Sequence, residues 1–290
     1  MHAELAETNA PRTHGVAIVT GASSGIGRAV SRLLAARGFR VVLVARTAAK
    51  LEQLVTELGR ERATSRPLDV SDRRALTALP AEVKRHFGRL DLVINSAGVN
   101  HRGAVSHRTR EELVDILETN LLAPVLLTHA ALSVIEPGGA ILNVASLAGK
   151  VPVPDEATYS ASKAGLRAFA RALDTELSLR ESDIRVLTIC PGPVETGFLG
   201  DDLSEVPDLV FSQPMRTAEQ VAESMLEMLD RRRQELDVPR LSGTLATLGY
   251  LSPRLFAALR APLTRLGARN KARFATRRQS TPRTDIEEIQ

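Results

Sequence analysis

The sequence predicts a doubly wound α/β domain on a parallel sheet of about seven strands, followed by a basic helical extension. Three observations carry this. Short β-branched runs alternate with longer stretches of helical periodicity. The strand runs are continuously apolar, as strands covered on both faces by helical crossovers must be. The residues able to do chemistry fall just after strands, where such sheets bind ligands.

In chain order, the strands are VAIVT from Val16, VVLVA from Val41, ATSRPLD from Ala63, DLVIN from Asp91, AILNVAS from Ala140, IRVLTIC from Ile184 and ELDV from Glu235. Helical periodicity fills the gaps: Gly25 to Arg37, Ala48 to Leu58, Asp72 to Phe87, Arg110 to Ile135, Thr158 to Leu179 and Thr217 to Leu229. Pro124 is expected to kink or loosen the fourth of these. The α/β domain is expected to span residues 15–239. Residues 1–14 should be a flexible tail, 240–279 an amphipathic extension and 280–290 a disordered end.

Hydrophobic content of 43% and charged content of 25% over 290 residues fit a soluble globular protein. The first fourteen residues are polar and acidic without an apolar core, so no secretory signal is expected. Leu121 to Ile135 is interrupted by polar residues and proline and reads as a buried helix. The single cysteine, Cys190, excludes an intramolecular disulfide and fits a reducing, cytoplasmic setting; within IRVLTIC it reads as a buried structural thiol. The six histidines lack metal-ligand spacing, so no metal is expected; His101 and His107 read as loop residues.

After the first strand comes TGASSGIG, with Gly21, Gly25 and Gly27 at the spacing that lets a backbone turn sharply against a pyrophosphate. The following helix offers free N–H groups and a positive dipole end to the anion. The second strand ends in Ala45 and Arg46, with no carboxylate to bond a ribose 2′-hydroxyl. A guanidinium there suits a 2′-phosphate, so NADP(H) is preferred over NAD(H). Asp69, before Val70, either accepts from an adenine amino group or forms a turn.

Tyr159 and Lys163 in YSASK stand at i and i+4, neighbours on one helical face. An ammonium beside a phenol favours the phenolate, so the phenol is expected to have a lowered pKa and to trade protons near neutrality. Together with NSAG from Asn95, Asn120 in ETNLLAP, Ser146 in NVASLAG and PGPVET from Pro191, these motifs occur in an order that resembles the short-chain dehydrogenase/reductase family over about Val16 to Val238. Two departures are mild: Ser96 gives NSAG where NNAG is usual, and Ala123 with Pro124 follows Asn120 where glycine is frequent.

The resemblance implies a Rossmann-type fold and NAD(P)-dependent interconversion of a carbonyl and an alcohol. It implies Tyr159 as general acid/base, Ser146 as donor to the substrate oxygen, Lys163 as partner of the phenolate and of the nicotinamide ribose, and Asn120 as holder of a relay water. By the same resemblance Gly21, Ser23, Ser24, Gly25, Ile26, Gly27, Arg46, Asp69, Val70, Asn95, Ala97, Gly98, Tyr159, Lys163, Pro191, Gly192, Val194 and Thr196 contact the cofactor. Asn95 is expected to brace the neighbouring backbone and Thr196 to bond the carboxamide. Family members often form dimers or tetramers.

Between Val194 and Met215, Phe198, Leu199, Leu203, Val206, Leu209, Val210 and Phe211 either close over a lipophilic ligand or only pack this lid onto the domain. A 3-oxoacyl-thioester reductase, or a cofactor-binding sensor without turnover, are the alternatives to a small-molecule carbonyl reductase. From Arg240 to Gln279 nine basic residues and no acidic one give a local charge of +9, against +4 for the chain. Leu255, Leu259, Leu263 and Leu266 follow helical spacing there, and Pro262 is expected to interrupt any single helix. The stretch either contacts an anionic membrane or docks on the protein; nucleic acid is not expected, because stacking aromatics are scarce.

Overall fold

The computed structural model describes residues 15–280 apart from Asp201 and Arg232. The tails expected at residues 1–14 and 281–290 lie outside the described residues. The chain runs β1 (Val16–Thr20), α1 (Gly25–Ala36), β2 (Arg40–Ala45), α2 (Ala48–Leu58), β3 (Ala63–Pro67), α3 (Arg73–Phe87) and β4 (Leu92–Asn95). It continues through α4 (Arg110–Leu117), α5 (Ala123–Leu132), β5 (Ala140–Val144), α6 (Ala157–Leu179), β6 (Arg185–Pro191) and β7 (Val194–Glu195). Last come β8 (Arg216–Thr217), α7 (Ala218–Arg231), β9 (Glu235–Val238), α8 (Arg240–Leu251) and α9 (Pro253–Ser280).

Seven strands form one sheet in the order β3-β2-β1-β4-β5-β6-β9, parallel throughout. The alternation of side chains along each strand divides the core in two. Ala17, Val19, Val41 and Leu43 pack with Val30, Leu34, Leu51, Val221 and Met225 from α1, α2 and α7. Val16, Ile18, Val42 and Val44 pack on the other face with Leu76, Leu79, Leu127 and Ala131 from α3 and α5. Each fully buried Leu or Ile contributes about 1.5–3 kcal/mol. Strand order reverses between β1 and β4, and this switch point opens the crevice for a ligand at the carboxyl ends of the strands.

Two helical expectations are refined: the loosening expected at Pro124 is seen, as a π turn that divides the helix, whereas the break expected at Pro262 is not. The fourth helix is not continuous from Arg110 to Ile135: α4, started by a Thr109–Glu112 capping box, passes through a π turn at Glu118–Leu122 into α5. Pro124 explains the break, because it brings no N–H to the carbonyl of Asn120 four residues earlier. Arg110–Leu132 is long and apolar enough to cross a membrane by length and composition, but Ala123, Leu127 and Ala131 bury themselves against the sheet. The correction concerns Pro262, which does not break α9. It and Ala258 are exposed, so the carbonyl deprived of its donor lies on the solvent side.

Candidate active site

The turn after β1 is shaped by close approaches. Gly21 has φ +68°, and a Cβ there would lie 2.8 Å from the Ala97 nitrogen; one on Gly27 would lie 2.2 Å from the Gly21 carbonyl oxygen. Glycine is therefore required at both. Ser24 stands before α1 in extended conformation without capping the helix through its side chain, and the first turn holds no acidic residue. The N–H groups of Gly25, Ile26 and Gly27 thus have no anionic side chain competing for them, which fits a pyrophosphate. Gly25 faces Thr196, whose Cγ2 is 3.3 Å from a Cβ built on the glycine. This brings the expected phosphate and carboxamide segments together. Pro191 is buried at the end of β6, and Gly192 follows with its N–H on the Val238 carbonyl.

At the adenosine end Arg46 is exposed, and the Asp69 carboxyl is held below its usual range chiefly by the Ser71 N–H, with the Ser71 hydroxyl and, least, Arg46 adding to this against the effect of burial. Asp69 Oδ1 already accepts from the Ser71 N–H at 3.0 Å and hydroxyl at 2.9 Å, the turn-forming alternative, while Val70 is buried. Asn95 does not brace the neighbouring backbone. Its amide donates to Asn143 Oδ1 at 2.8 Å and Thr128 Oγ1 at 3.3 Å, and the bracing falls to Thr20, whose hydroxyl oxygen accepts from the Ser96 and Ala97 N–H groups at 3.1 Å.

Ser146, Tyr159, Lys163 and Asn120 come together at the mouths of β4 and β5. The Ser146 hydroxyl is anchored by the Ala148 N–H at 3.1 Å, faces the Pro191 carbonyl at 3.5 Å and lies near enough to the Tyr159 phenol to lower its pKa. Asn120 clamps Val99 at both ends, accepting from its N–H at 2.9 Å and donating to its carbonyl at 2.8 Å. A Cβ on Gly98 would sit 3.2 Å from Asn120 Oδ1 and 3.7 Å from Lys163 Nζ, which accounts for glycine there.

The expected acidity of Tyr159 is not what the structure gives. Lys163 Nζ is 5.8 Å from the phenol ring centroid and donates to the Val144 carbonyl at 2.9 Å. Tyr159 is 8% exposed, and burial pushes its phenol well above the ordinary range; the nearby Ser146 hydroxyl opposes this, Glu156 adds to it and Arg102 opposes it. Desolvation also lowers Lys163, to about 8, because both groups lose water in one apolar pocket.

Sequence reasoning missed part of that pocket. Arg102 Nε pairs with Glu156 Oε1 at 2.8 Å, their side chains 8% and 6% exposed. The same guanidinium donates to the carbonyls of Phe198 and Leu199 at 3.2 and 3.3 Å and lies 5.7 Å from the Phe198 ring. Phe198 in turn sits 5.8 Å from the Tyr159 ring. An ion pair thus ties the lid to the start of the tyrosine helix. No residue pattern flagged it. Of the other expected lid residues, Leu199, Val206 and Phe211 bury themselves with Phe274 of α9, and Leu203 and Val210 pack against that cluster.

His101 turns to α4, with Nε2 2.7 Å from Asp115 Oδ2. Cys190 is buried, its thiol pushed up by desolvation. It lies with Glu235 and Asp237 in a group whose donor atoms are within 4.8 Å of one another. The cation there is the Lys150 ammonium, 2.6 Å from Glu235 and 2.7 Å from Asp237.

A family model described as short chain dehydrogenase matches residues 15–206. Dehydrogenase/reductase SDR family member 7B of Bos taurus is 32% identical over 275 residues, 89% of this chain and 84% of the relative. The monensin polyketide synthase putative ketoacyl reductase of Streptomyces virginiae is 41% identical over 190 residues, 63% of this chain and 72% of that one. Among solved structures, a short chain dehydrogenase from Burkholderia cenocepacia in complex with NADP superposes with TM-score 0.71 at 28% identity, covering 77% of this chain and 95% of that one. With the glycine turn, the switch-point crevice and the Ser-Tyr-Lys cluster in one parallel sheet, these likenesses settle the family: the chain belongs to the short-chain dehydrogenases/reductases, NAD(P)-dependent hydride-transfer oxidoreductases.

Proposed function

We propose that the protein reduces the carbonyl of a lipophilic ketone or aldehyde with NADPH, Tyr159 giving the proton to the substrate oxygen. The observation that carries this reading is the buried phenol, close to Ser146 and surrounded by Ile116, Ala148, Val99, Val153 and Phe198. Bound between the glycine turn and Thr196, the cofactor supplies the hydride. The fixed Ser146 hydroxyl donates to the substrate oxygen and orients it. Because burial keeps Tyr159 protonated at neutral pH, it stands ready as the acid that carbonyl reduction requires. Lys163 would hold the nicotinamide ribose, and the Asn120 carbonyl, which Pro124 cannot reach with an N–H, would continue the proton path to solvent.

Exposed Arg46 supports NADP(H) over NAD(H) through a 2′-phosphate contact. The lone buried Cys190 thiol supports a reducing, cytoplasmic setting. Val114 and Leu117, exposed on α4, support a homo-oligomer, and the basic extension supports contact with a membrane surface. A panel of ketones, aldehydes and secondary alcohols followed by NADPH absorbance, with NADH in parallel, tests the reading; turnover confined to NADH or to polar substrates would overturn it. The likeness to a putative ketoacyl reductase favours a second reading, reduction of 3-oxoacyl thioesters. Higher kcat/KM for acyl-carrier-protein thioesters than for free ketones would establish that instead.

A further inference from the structure

Of the eleven large apolar side chains exposed among the described residues, six lie beyond β9: Leu241, Leu245, Leu248, Leu251, Leu259 and Leu266. On α8, Leu241, Leu245 and Leu248 share one face at i, i+4 and i+7, and Leu251 extends it. Ser242 and Ala246, on the opposite face, are buried against the domain. Leu241 and Leu251 are 72% and 74% exposed, far more than a helix packed by its own domain leaves to leucine. Arg254, Arg260, Arg265, Arg269 and Arg273 are also exposed. Ion pairs of this extension are made by Arg240, Lys271 and Arg277.

We propose that α8 and the first half of α9 dock on the surface of an anionic lipid bilayer, the leucines entering the headgroup boundary and the arginines meeting lipid phosphates and carboxylates. An apolar stripe flanked by exposed cations, in a stretch without one acidic residue, matches such a surface in both chemistry and sign. A second copy of the same face fits poorly, because it would bring two sets of arginines together with no acidic residue in the stretch to offset them.

The other half of α9 shows where docking would lead. Gly267 approaches the lid so closely that a Cβ there would lie 1.8 Å from the Asp208 carbonyl oxygen. Asn270 donates to the Phe211 carbonyl at 3.0 Å, and Lys271 donates to the Val206 carbonyl at 2.7 Å and pairs with Asp208 at 3.0 Å. One helix therefore joins the docking face to the lid, so a lipophilic substrate leaving the bilayer would meet the cleft. The inference rests on the proposed lipophilic substrate for its purpose and on the exposed face for its physics.

Co-sedimentation of the full chain with vesicles of phosphatidylcholine alone, or containing about a third phosphatidylserine, tests the docking. The variant Leu245→Glu/Leu248→Glu is compared, with NADPH affinity as the check on folding. Expected is roughly tenfold more pelleting with the anionic vesicles, release by added salt, and a variant that stays in the supernatant while binding NADPH as before. Equal recovery in the supernatant with both vesicles overturns the proposal, as does a variant that pellets like the parent. A dimer in sedimentation velocity that the double variant dissolves also overturns it, by assigning the face to a second copy. Turnover enters none of these readouts, so failure of the substrate reading remains distinguishable.

Discussion

Replacing Lys163 by Met keeps an unbranched stem of similar length in the buried pocket and removes the charge. Burial lowers the lysine from 10.5 to about 8, and at about 1.36 kcal/mol per pH unit the protonated side chain costs the fold roughly 3 kcal/mol at neutral pH. Losing its hydrogen bond to the Val144 carbonyl costs about 1–2 kcal/mol in return. The variant is therefore expected to be about 1–2 kcal/mol more stable at pH 7 while losing turnover, a trade of activity for stability. The pH dependence is sharper. The unfolded chain keeps this proton up to about pH 10.5 and the folded chain only to about 8, so unfolding takes up a proton in that window and parental stability rises with pH. Lacking that rise, the variant's advantage should shrink above about pH 8 and then reverse. Urea unfolding followed by far-UV circular dichroism at about pH 7, 8.5 and 9.5 measures it. A stability difference that does not change with pH, or a variant clearly destabilised at pH 7, would refute the reasoning.

Three further outcomes are expected. Arg102→Met strands the buried Glu156 carboxylate and should cost about 3–5 kcal/mol in urea unfolding, with partial recovery on adding Glu156→Gln; no loss would mean that the pair is solvated. Gly267→Val forces α9 from the Asp208 carbonyl and should raise KM for the carbonyl substrate roughly tenfold while leaving NADPH affinity unchanged; unchanged KM would separate α9 from the lid. Arg46→Ala removes charge-assisted bonds to a 2′-phosphate and should weaken NADPH binding roughly 10–100-fold with little effect on NADH, measured by cofactor fluorescence.

The sheet and its crossovers were legible because a strand buried on both faces writes its environment into consecutive residues, as Val41 to Ala45 do. The glycine turn was legible for a similar reason: its constraint is local, a backbone too close to Ala97 for any side chain. The acidity of Tyr159 was misread because spacing reports which groups are neighbours and says nothing of how much water they lose. Desolvation comes from Val99, Val153 and Ile116, brought in by tertiary packing. The Arg102–Glu156 pair joins residues 54 apart, and neither stands out in its own segment. The docking of α9 on the lid was hidden behind Pro262, whose local rule gave way to solvent on its side of the helix.

The account depends on a protonated, buried phenol as the source of the substrate's proton. Tyr159→Phe removes one oxygen and leaves the glycine turn, Lys163 and the apolar pocket in place, so NADPH titration and single-turnover reduction on this variant isolate that proton. Cofactor affinity within about twofold of the parent, with reduction slowed at least a hundredfold, is the expected result. Reduction at the parental rate with NADPH bound would contradict it.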